Sequence, residues 1–187
     1  MDVRTLYDEI LRPAAIGRPF EKSEEGICIW KEHVRTSIIR TIIECSSRFV
    51  YKERKAKFGE TKGETVVVVC PTEELHELGA KMVADFFTLC GYDVTFVGAN
   101  TPQSQVLAGI GYVVPAYVAI SVTNHYNLVA ARKLVDNMKT LRTSKGLSFK
   151  IIVGGSAFER NPELAKEIGA DQHLHGFDDI KALKGGA

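Results

Sequence analysis

The chain has 187 residues, of which 45% are hydrophobic and 25% are charged, and its formal net charge is +1. This length suits one ordinary domain with a small appendage, and the composition is typical of a soluble globular protein. The charge balance excludes a broad basic surface for nucleic acid or for an anionic membrane, and we expect neither as a partner. The apolar stretches are far shorter than the roughly 18 residues that a membrane helix needs.

Four cysteines, Cys28, Cys45, Cys70 and Cys90, are scattered along the chain and form no C-x-x-C pair. Because no signal peptide is recognisable, this usage is typical of reduced thiols in a cytoplasmic protein. We expect Cys28 and Cys45 to be buried thiols.

The front of the chain is predicted to be helical. Residues 3–15 predict one helix, and residues 26–58 predict a second, long helix with an apolar stripe that contains Val34, Ile38, Ile42, Ile39 and Ile43. Two helices cannot form a core alone, so they must lean on the rest of the chain or on a second copy of it. The polar segment 59–64 has two glycines and predicts the boundary between a helical cap, 1–62, and a second domain, 63–187.

From Thr65 onward, apolar strands alternate with helical segments. The predicted strands are 65–70, 93–98, 116–122 and 149–155, with an edge strand near 170–175. Apolar residues recur at helical spacing between them, as in Leu75, Leu78, Met82, Phe86 and Cys90, and a short helix is predicted at 162–168. Another helix is predicted to begin with Thr101 as N-cap and Pro102 as its first residue. This alternation predicts an α/β fold with a parallel, doubly wound five-stranded sheet.

Polar residues and glycines follow three of the predicted strands. Ligands bind such sheets at the carboxyl ends of the strands, so the loops that begin at Cys70, Ser121 and Gly154 should converge. The first loop contains Glu74, His76 and Gly79 in the pattern E-x-H-x-x-G. A histidine there can bind a metal through one ring nitrogen while the other nitrogen bonds an acceptor such as Glu74. On this spacing alone, a histidine that simply begins a helix is an open alternative.

The three motifs together resemble the cobalamin (vitamin B12)-binding domain, whose signature is D-x-H-x-x-G, then S-x-L, then G-G, after successive strands of a flavodoxin-like sheet. The resemblance covers residues 64–182 and rests on E-x-H-x-x-G at 74–79, Ser121 and Thr123, and Gly154 and Gly155. It implies a flavodoxin-like fold and a cobalamin cofactor, adenosylcobalamin or methylcobalamin, with cobalt as the metal.

The resemblance also assigns roles within this site. It implies that His76 is the lower axial ligand of cobalt in place of the cofactor's own dimethylbenzimidazole, that Glu74 is the partner of His76, and that Gly79 admits the nucleotide tail. Ser121, Thr123, Gly154 and Gly155 would then line the tail. Two positions depart from the family pattern: Glu74 replaces aspartate, which moves the carboxylate one methylene outward, and Thr123 replaces leucine, which makes the tail pocket more polar.

The predicted cap resembles the helical cap of light-sensing B12 regulators and of methyltransferase corrinoid proteins. The pair Glu32 and His33 is similar to a motif of the sensors, and Phe20 and Trp30 are candidates for the aromatic cover of the upper cofactor face, although the family spacing of the tryptophan is not preserved. A solvated helix turn for the pair, and ordinary packing for Phe20 and Trp30, are the open alternatives.

Three functions follow from the resemblance. The first is a stand-alone cobalamin sensor, for light in one version, which acts on a partner regulator. The second is a corrinoid methyl carrier of a methyltransferase system, and the third is the small cobalamin-binding subunit of a radical mutase. No second substrate pocket is evident, so we do not expect the chain to be an enzyme by itself.

The apolar stripe of the cap predicts a homodimer that pools helices into a four-helix arrangement. The sequence has no recognisable helix-turn-helix segment, so direct DNA binding is not expected. Of the remaining histidines, His125 is expected at the surface, and His173 and His175 on a solvated edge strand, where a metal site would need a third ligand that the sequence does not offer.

Overall fold

The computed structural model describes residues 1–17, 26–159 and 161–184. Five strands form one sheet: β1 (Thr65–Val69), β2 (Asp93–Gly98), β3 (Tyr117–Ser121), β4 (Lys150–Gly154) and β5 (Gln172–His173). The first helix, α1, runs without a break through Val3–Thr5, a π-helical stretch Leu6–Leu11 and Arg12–Ile16. The other helices are α2 (Cys28–Phe58), α3 (Glu77–Leu89), α4 (Gln103–Val113), α5 (Leu128–Lys145), α6 (Glu163–Glu167) and α7 (Phe177–Leu183).

The sheet is parallel throughout and has the strand order β2-β1-β3-β4-β5. This is the flavodoxin-like order, and it confirms the predicted fold class. The chain order reverses between β1 and β3, so the carboxyl ends of these strands form the crevice in which such folds bind ligands. The loops after β1, β3 and β4 therefore meet at one edge of the sheet, as the sequence predicted.

Alternate residues of the central strands pack on opposite faces of the sheet. Val66 and Val68 of β1 belong to a buried cluster with α1, α2, α3 and α7, whereas Val69 belongs to a second cluster with α4, α5 and α6. Because both faces are covered there, the central strands β1, β3 and β4 consist mostly of apolar residues, which explains the unbroken run TVVVV of β1.

The cap shares its core with the sheet. Tyr7 of α1 and Ile43 of α2 lie in the same buried cluster as Val66 and Phe86. The Tyr7 hydroxyl, which is buried, donates to Asp85 of α3 over 2.7 Å, and Lys81 donates to the other oxygen of Asp85 over 2.8 Å. The division of the chain at residues 62 and 63 stays a prediction.

Helix α2 has two different apolar faces. Ile39 and Ile43 are buried against the sheet domain, whereas Val34, Ile38 and Ile42 are exposed. The single stripe predicted from the sequence is therefore wrong, because residues four apart on a helix share a face and residues one apart do not. Cys45 lies with the exposed set and Cys28 is half-buried, so the prediction that both thiols are buried is also wrong.

Several helix boundaries differ from the prediction. Helix α4 begins at Gln103 rather than at Pro102, because Pro102 has an extended ψ of 131° and occupies the N-cap position that was assigned to Thr101. Helix α3 begins at Glu77, so Leu75 lies in the preceding loop and is exposed. Helix α7 was not predicted. In the part of the chain described here, no helix combines the length and the apolar character needed to cross a bilayer.

Candidate functional site

The loop between β1 and α3 is held by its neighbours on both sides. The Glu74 amide donates to the Pro71 carbonyl over 3.1 Å, and the Glu74 carbonyl accepts from the Asn100 amide in the β2–α4 loop over 3.2 Å. Glu73 has a φ of 70°, which is uncommon for a residue with a side chain, and its amide donates to the Asn100 side chain. This turn directs the next side chain, that of Glu74, into the protein.

Glu74 is fully buried and bonds His76 twice through the same oxygen. Its Oε1 atom accepts from the His76 amide over 3.0 Å and lies 2.5 Å from His76 Nδ1. The extra methylene of glutamate therefore does not prevent the contact that the sequence assigned to this pair.

The second oxygen of Glu74 reaches a different loop. Oε2 accepts from the backbone amides of Thr123 and Asn124 over 2.9 and 3.0 Å, so one carboxylate joins the loop after β1 to the loop after β3. Thr123 thus contributes its backbone to the site. The role of Asn124 was not foreseen, because a backbone amide leaves no signal in a sequence.

The charge of Glu74 follows from these bonds. Burial opposes ionisation, but the hydrogen bonds from the Asn124 amide, from the ring and amide of His76, and from Asn127 outweigh it and hold the pKa of Glu74 below its usual value. An ionised carboxylate can only accept, so His76 Nδ1 must carry the proton and donate it. Nε2 is then the ring nitrogen that remains available to a ligand.

A cavity of about 950 Å³ lies between the cap and the carboxyl edge of the sheet. The sheet-domain residues of the predicted site that line it are His76, Gly79, Ser121, Thr123, Gly154 and Gly155. The cap contributes Asp8, Arg12, Ala15, Ile16, Glu32, His33, Thr36, Ser37 and Arg40. Deeper lining residues are apolar and include Met82, Val83, Phe86, Phe87, Ala119 and Ile152. The cavity therefore has a polar wall on the cap side and an apolar interior.

Glycine occupies the three motif positions, 79, 154 and 155, for different physical reasons. A Cβ at Gly154 would lie 2.8 Å from the Leu174 carbonyl oxygen, and a Cβ at Gly155, where φ is 104°, would lie 2.4 Å from the Val122 carbonyl oxygen. Both positions thus require glycine for the fold itself. A Cβ at Gly79 would meet no protein atom within 4 Å, so only a ligand in the cavity would require glycine there.

The other predicted positions lie in different places. Trp30 is 66% exposed and is not among the cavity-lining residues, while Phe20 lies outside the described residues. His125 is exposed and away from the cavity. His173 and His175 line the cavity with their ring centroids 4.2 Å apart, and burial together with the neighbouring His175 lowers the pKa of His173. β5 is the edge strand that the sequence predicted, and His175 is exposed there, whereas His173 is half-buried.

A metal ion at His76 would need ligands from elsewhere. Within residues 1–17, 26–159 and 161–184, no three His, Cys, Asp or Glu side chains are grouped so that they could hold a metal ion. A metal-bearing macrocycle brings its other ligands with it. The cavity beside His76 has the volume for a large organic ligand.

Solved structures share this fold. A monomethylamine corrinoid protein of Methanosarcina barkeri matches with a TM-score of 0.78 and 16% identity, over 98% of this chain and 83% of that one. A cobalamin-binding protein of Desulfitobacterium hafniense DCB-2 matches with a TM-score of 0.58 and 22% identity, over 77% and 69%. A structure of the methanol:cobalamin methyltransferase complex of Methanosarcina barkeri matches with a TM-score of 0.54 and 20% identity, over 98% of this chain and 68% of that one.

Sequence comparison identifies the family. A corrinoid protein of Desulfitobacterium hafniense (strain Y51) is 26% identical over 125 residues, which are 67% of this chain but only 56% of that relative's length. The family model of the B12 binding domain matches residues 64–179, which contain all three motifs and the whole sheet. This chain is thus a corrinoid-binding protein and belongs to the B12-binding domain family.

Proposed function

We propose that the chain is a corrinoid methyl carrier that holds cobalamin with its own base displaced, with Nε2 of His76 as the lower ligand of cobalt. The observation that carries this proposal is the 2.5 Å contact between His76 Nδ1 and the buried Glu74 carboxylate. This contact fixes the tautomer and the orientation of the ring, as carboxylates do for metal-binding histidines. When bound, the cobalt of the cofactor accepts a methyl group and gives it up again.

The cavity suits the displaced nucleotide tail of such a cofactor. Its interior is lined by apolar side chains of α3 and the sheet, including Phe86 and Ile152, which favour a flat aromatic base. Gly79 leaves space at the first turn of α3 that no protein atom uses. Ser121 and Thr123 provide polar groups at the edge of this interior.

The cap side of the cavity supports a carrier over a light sensor. A sensor needs an upper face closed by aromatic side chains, whereas a carrier needs one that partner methyltransferases can reach. Among the described residues that line the cavity, the phenylalanine rings come from α3, and the cap provides mainly polar groups such as Glu32, His33 and Ser37. Trp30 points to solvent with 66% of its surface exposed.

The ligand assignment is tested by reconstitution with cobalamin and visible spectroscopy. We expect His76→Ala to lose the spectrum of histidine-bound cobalamin and to bind the cofactor at least tenfold more weakly, because a direct ligand is lost. His125→Ala is the matched control, since His125 is exposed and away from the cavity, and it should behave like the wild type. Equal spectra and affinities for the two variants would remove His76 from the ligand role.

Light separates the two functions. The protein is loaded with adenosylcobalamin in the dark and analysed by size-exclusion chromatography before and after green light. A carrier should keep its oligomeric state, and the methylcobalamin-loaded protein should lose its methyl group when a methyltransferase and that enzyme's methyl acceptor are added together. A change in assembly that follows photolysis would establish the sensor function instead.

We also propose that the exposed face of α2 pairs with a second copy of the chain. Val34, Ile38, Ile42, Cys45 and Phe49 recur there every three or four residues, which is the spacing of helix-pairing seams. An antiparallel pair centred near Ile42 places Val34 opposite Phe49 and Ile38 opposite Cys45, as a two-fold contact requires.

The dimer is tested by light scattering coupled to size exclusion at micromolar concentration. Ile42→Glu should shift the protein to the monomer, because it places a charge at the centre of the seam. Tyr51→Glu is the control, since Tyr51 is exposed on α2 but lies off this seam. A wild-type protein that is monomeric under these conditions would exclude the dimer.

A further inference from the structure

Two glutamates flank His76 along the chain, and each is anchored to different parts of the protein. Glu74 holds the ring and is tied to the loop after β3. Glu77, the first residue of α3, accepts through Oε2 from the Ala99 amide over 3.1 Å and through Oε1 from Arg40 Nη1 over 2.5 Å. The segment that carries His76 is therefore fixed on its N-terminal side by the Glu74 carboxylate and on its C-terminal side by the Glu77 carboxylate.

The Glu77 carboxylate packs closely against the backbone at the end of β2. Gly98, at the end of β2, has a φ of 89°, and a Cβ at this position would lie 3.2 Å from Glu77 Oε2. Glycine at position 98 thus leaves the room in which the carboxylate approaches the Ala99 amide. A carboxylate in the first turn of α3 is also favoured by the partial positive charge of the helix N-terminus.

Arg40 links this arrangement to the cap. It belongs to α2, lines the cavity, and is 45% exposed at its side chain, whereas Glu77 is 24% exposed. Other ion pairs between the cap and the sheet domain reach different segments: Arg12 pairs with Glu159 after β4, Arg4 with Asp178 after β5, and Arg54 with Asp93 at the start of β2. The Arg40 pair differs from these because its acceptor is the immediate neighbour of His76.

We propose that Arg40 is a positioning residue for the lower ligand: through Glu77 it holds the segment that carries His76, so that the strength of the bond from His76 to cobalt depends on the cap. This inference rests on the proposed ligation by His76. A shift of α2, or an anionic group that draws the Arg40 guanidinium away from Glu77, releases the C-terminal side of this segment. The bond from His76 to cobalt then becomes weaker. The cap would thus adjust the lower face of the cofactor while it contacts the upper face.

The test uses electron paramagnetic resonance of the cobalamin-loaded protein with its cobalt reduced to the Co(II) state. A nitrogen ligand on the axis of Co(II) splits the signal, and ¹⁵N labelling of the protein changes that splitting only if the nitrogen belongs to the protein. The ratio of histidine-off to histidine-on signal is compared in wild type, Arg40→Met, Arg40→Lys and Arg12→Met. Arg12→Met is the matched control, because it removes another cavity-lining arginine that pairs across the same cleft.

We expect Arg40→Met to raise the histidine-off to histidine-on ratio about tenfold, at the lower end of the loss that outer partners of metal ligands cause. Arg40→Lys should bring this ratio part of the way back to the wild-type value, and Arg12→Met should leave the ratio at the wild-type value. Combining Glu77→Gln with Arg40→Met should raise the ratio little beyond that of Arg40→Met alone. Equal thermal midpoints exclude a general loss of structure.

Two negative results are distinguishable. If ¹⁵N labelling does not change the wild-type splitting, His76 is not the ligand, and the proposed function fails before Arg40 is considered. If labelling changes the splitting but Arg40→Met gives the same ratio as the wild type, or Arg12→Met gives the same increase as Arg40→Met, the positioning role of Arg40 is overturned and the ligation by His76 stands.

Discussion

The ring of His76 donates from Nδ1 to the buried carboxylate of Glu74 over 2.5 Å, and the same carboxylate accepts two backbone amides from the loop after β3. Because a buried carboxylate that accepts several N–H groups is held ionised, this relationship fixes the tautomer of His76 without any ligand. The protein itself therefore leaves Nε2 as the ring nitrogen that is available to a ligand.

Glu74→Gln should weaken cobalamin binding by about 10- to 100-fold, because the amide is a poorer acceptor for the ring N–H. Isothermal titration with cobalamin measures this. Glu73→Gln makes the same change one residue earlier on an exposed side chain and should leave the affinity within about twofold of the wild type. Similar losses for both variants would show that general charge, and not the bond to His76, is responsible.

Gly79→Ala should have opposite effects on stability and on binding. Glycine inside a helix is destabilising by about 0.5–1 kcal/mol relative to alanine, and a Cβ at Gly79 meets no protein atom, so the free energy of unfolding should rise by about that amount. The same methyl group occupies cavity space and should reduce cobalamin affinity. Gly109→Ala in α4, also without a neighbour within 4 Å and away from the cavity, should stabilise the protein and leave affinity unchanged. Unchanged affinity for Gly79→Ala would mean that the ligand does not pass this residue.

Much of this site could be predicted from the sequence, because its residues follow directly after strands of a parallel sheet. Residues that follow parallel strands must meet at one edge, so Glu74, Ser121 and Gly154 could be brought together from strand prediction alone. Arg40 and Glu77 could not, because their contact depends on how the cap packs on α3. The two faces of α2 were merged in the prediction, since both Ile38 and Ile39 are apolar and only the packing decides which one is buried.

Tyr7→Phe should lower the free energy of unfolding by about 1–2 kcal/mol, because Oδ2 of the buried Asp85 loses its donor while Lys81 still donates to Oδ1. Tyr92→Phe is an unusually well-matched control. The Tyr92 hydroxyl is also buried but has no hydrogen-bond partner in the described structure, so its removal should be neutral or stabilising. Urea unfolding of the two variants measures the difference, and equal changes in the free energy of unfolding would show that the Tyr7–Asp85 hydrogen bond does not contribute to stability.

Stability should fall in acid in part through Asp171. Burial raises the pKa of this carboxyl, but the hydrogen bonds from Arg142 and the Ile151 amide outweigh it, and the pKa lies below its usual value. A depressed folded-state pKa contributes stability that is present above the unfolded pKa, near pH 4, and is lost as the pH falls through the folded value.

Asp171→Asn should therefore lower the free energy of unfolding at pH 7 by about 0.5–1 kcal/mol, because solvent partly screens this exposed residue, and this deficit should shrink as the pH falls below about 4. Denaturant unfolding at a series of pH values measures it. Asp178→Asn removes an exposed pair with Arg4, at 73% exposure of the aspartate, and should change stability little at any pH. A deficit for Asp171→Asn that does not depend on pH would exclude the charge as its source.

The shared core of cap and sheet restricts how the cavity between them can open. Tyr7, Leu11, Ile39 and Ile43 are buried in the same cluster as Val66 and Phe86, so swinging the cap away as a lid would expose this cluster to water at about 25 cal/mol for each Å² of apolar surface. Large movements of the cap away from the sheet are thus opposed by the free energy of exposing apolar surface. A molecule that enters the cavity should therefore do so while the cap stays packed on the sheet.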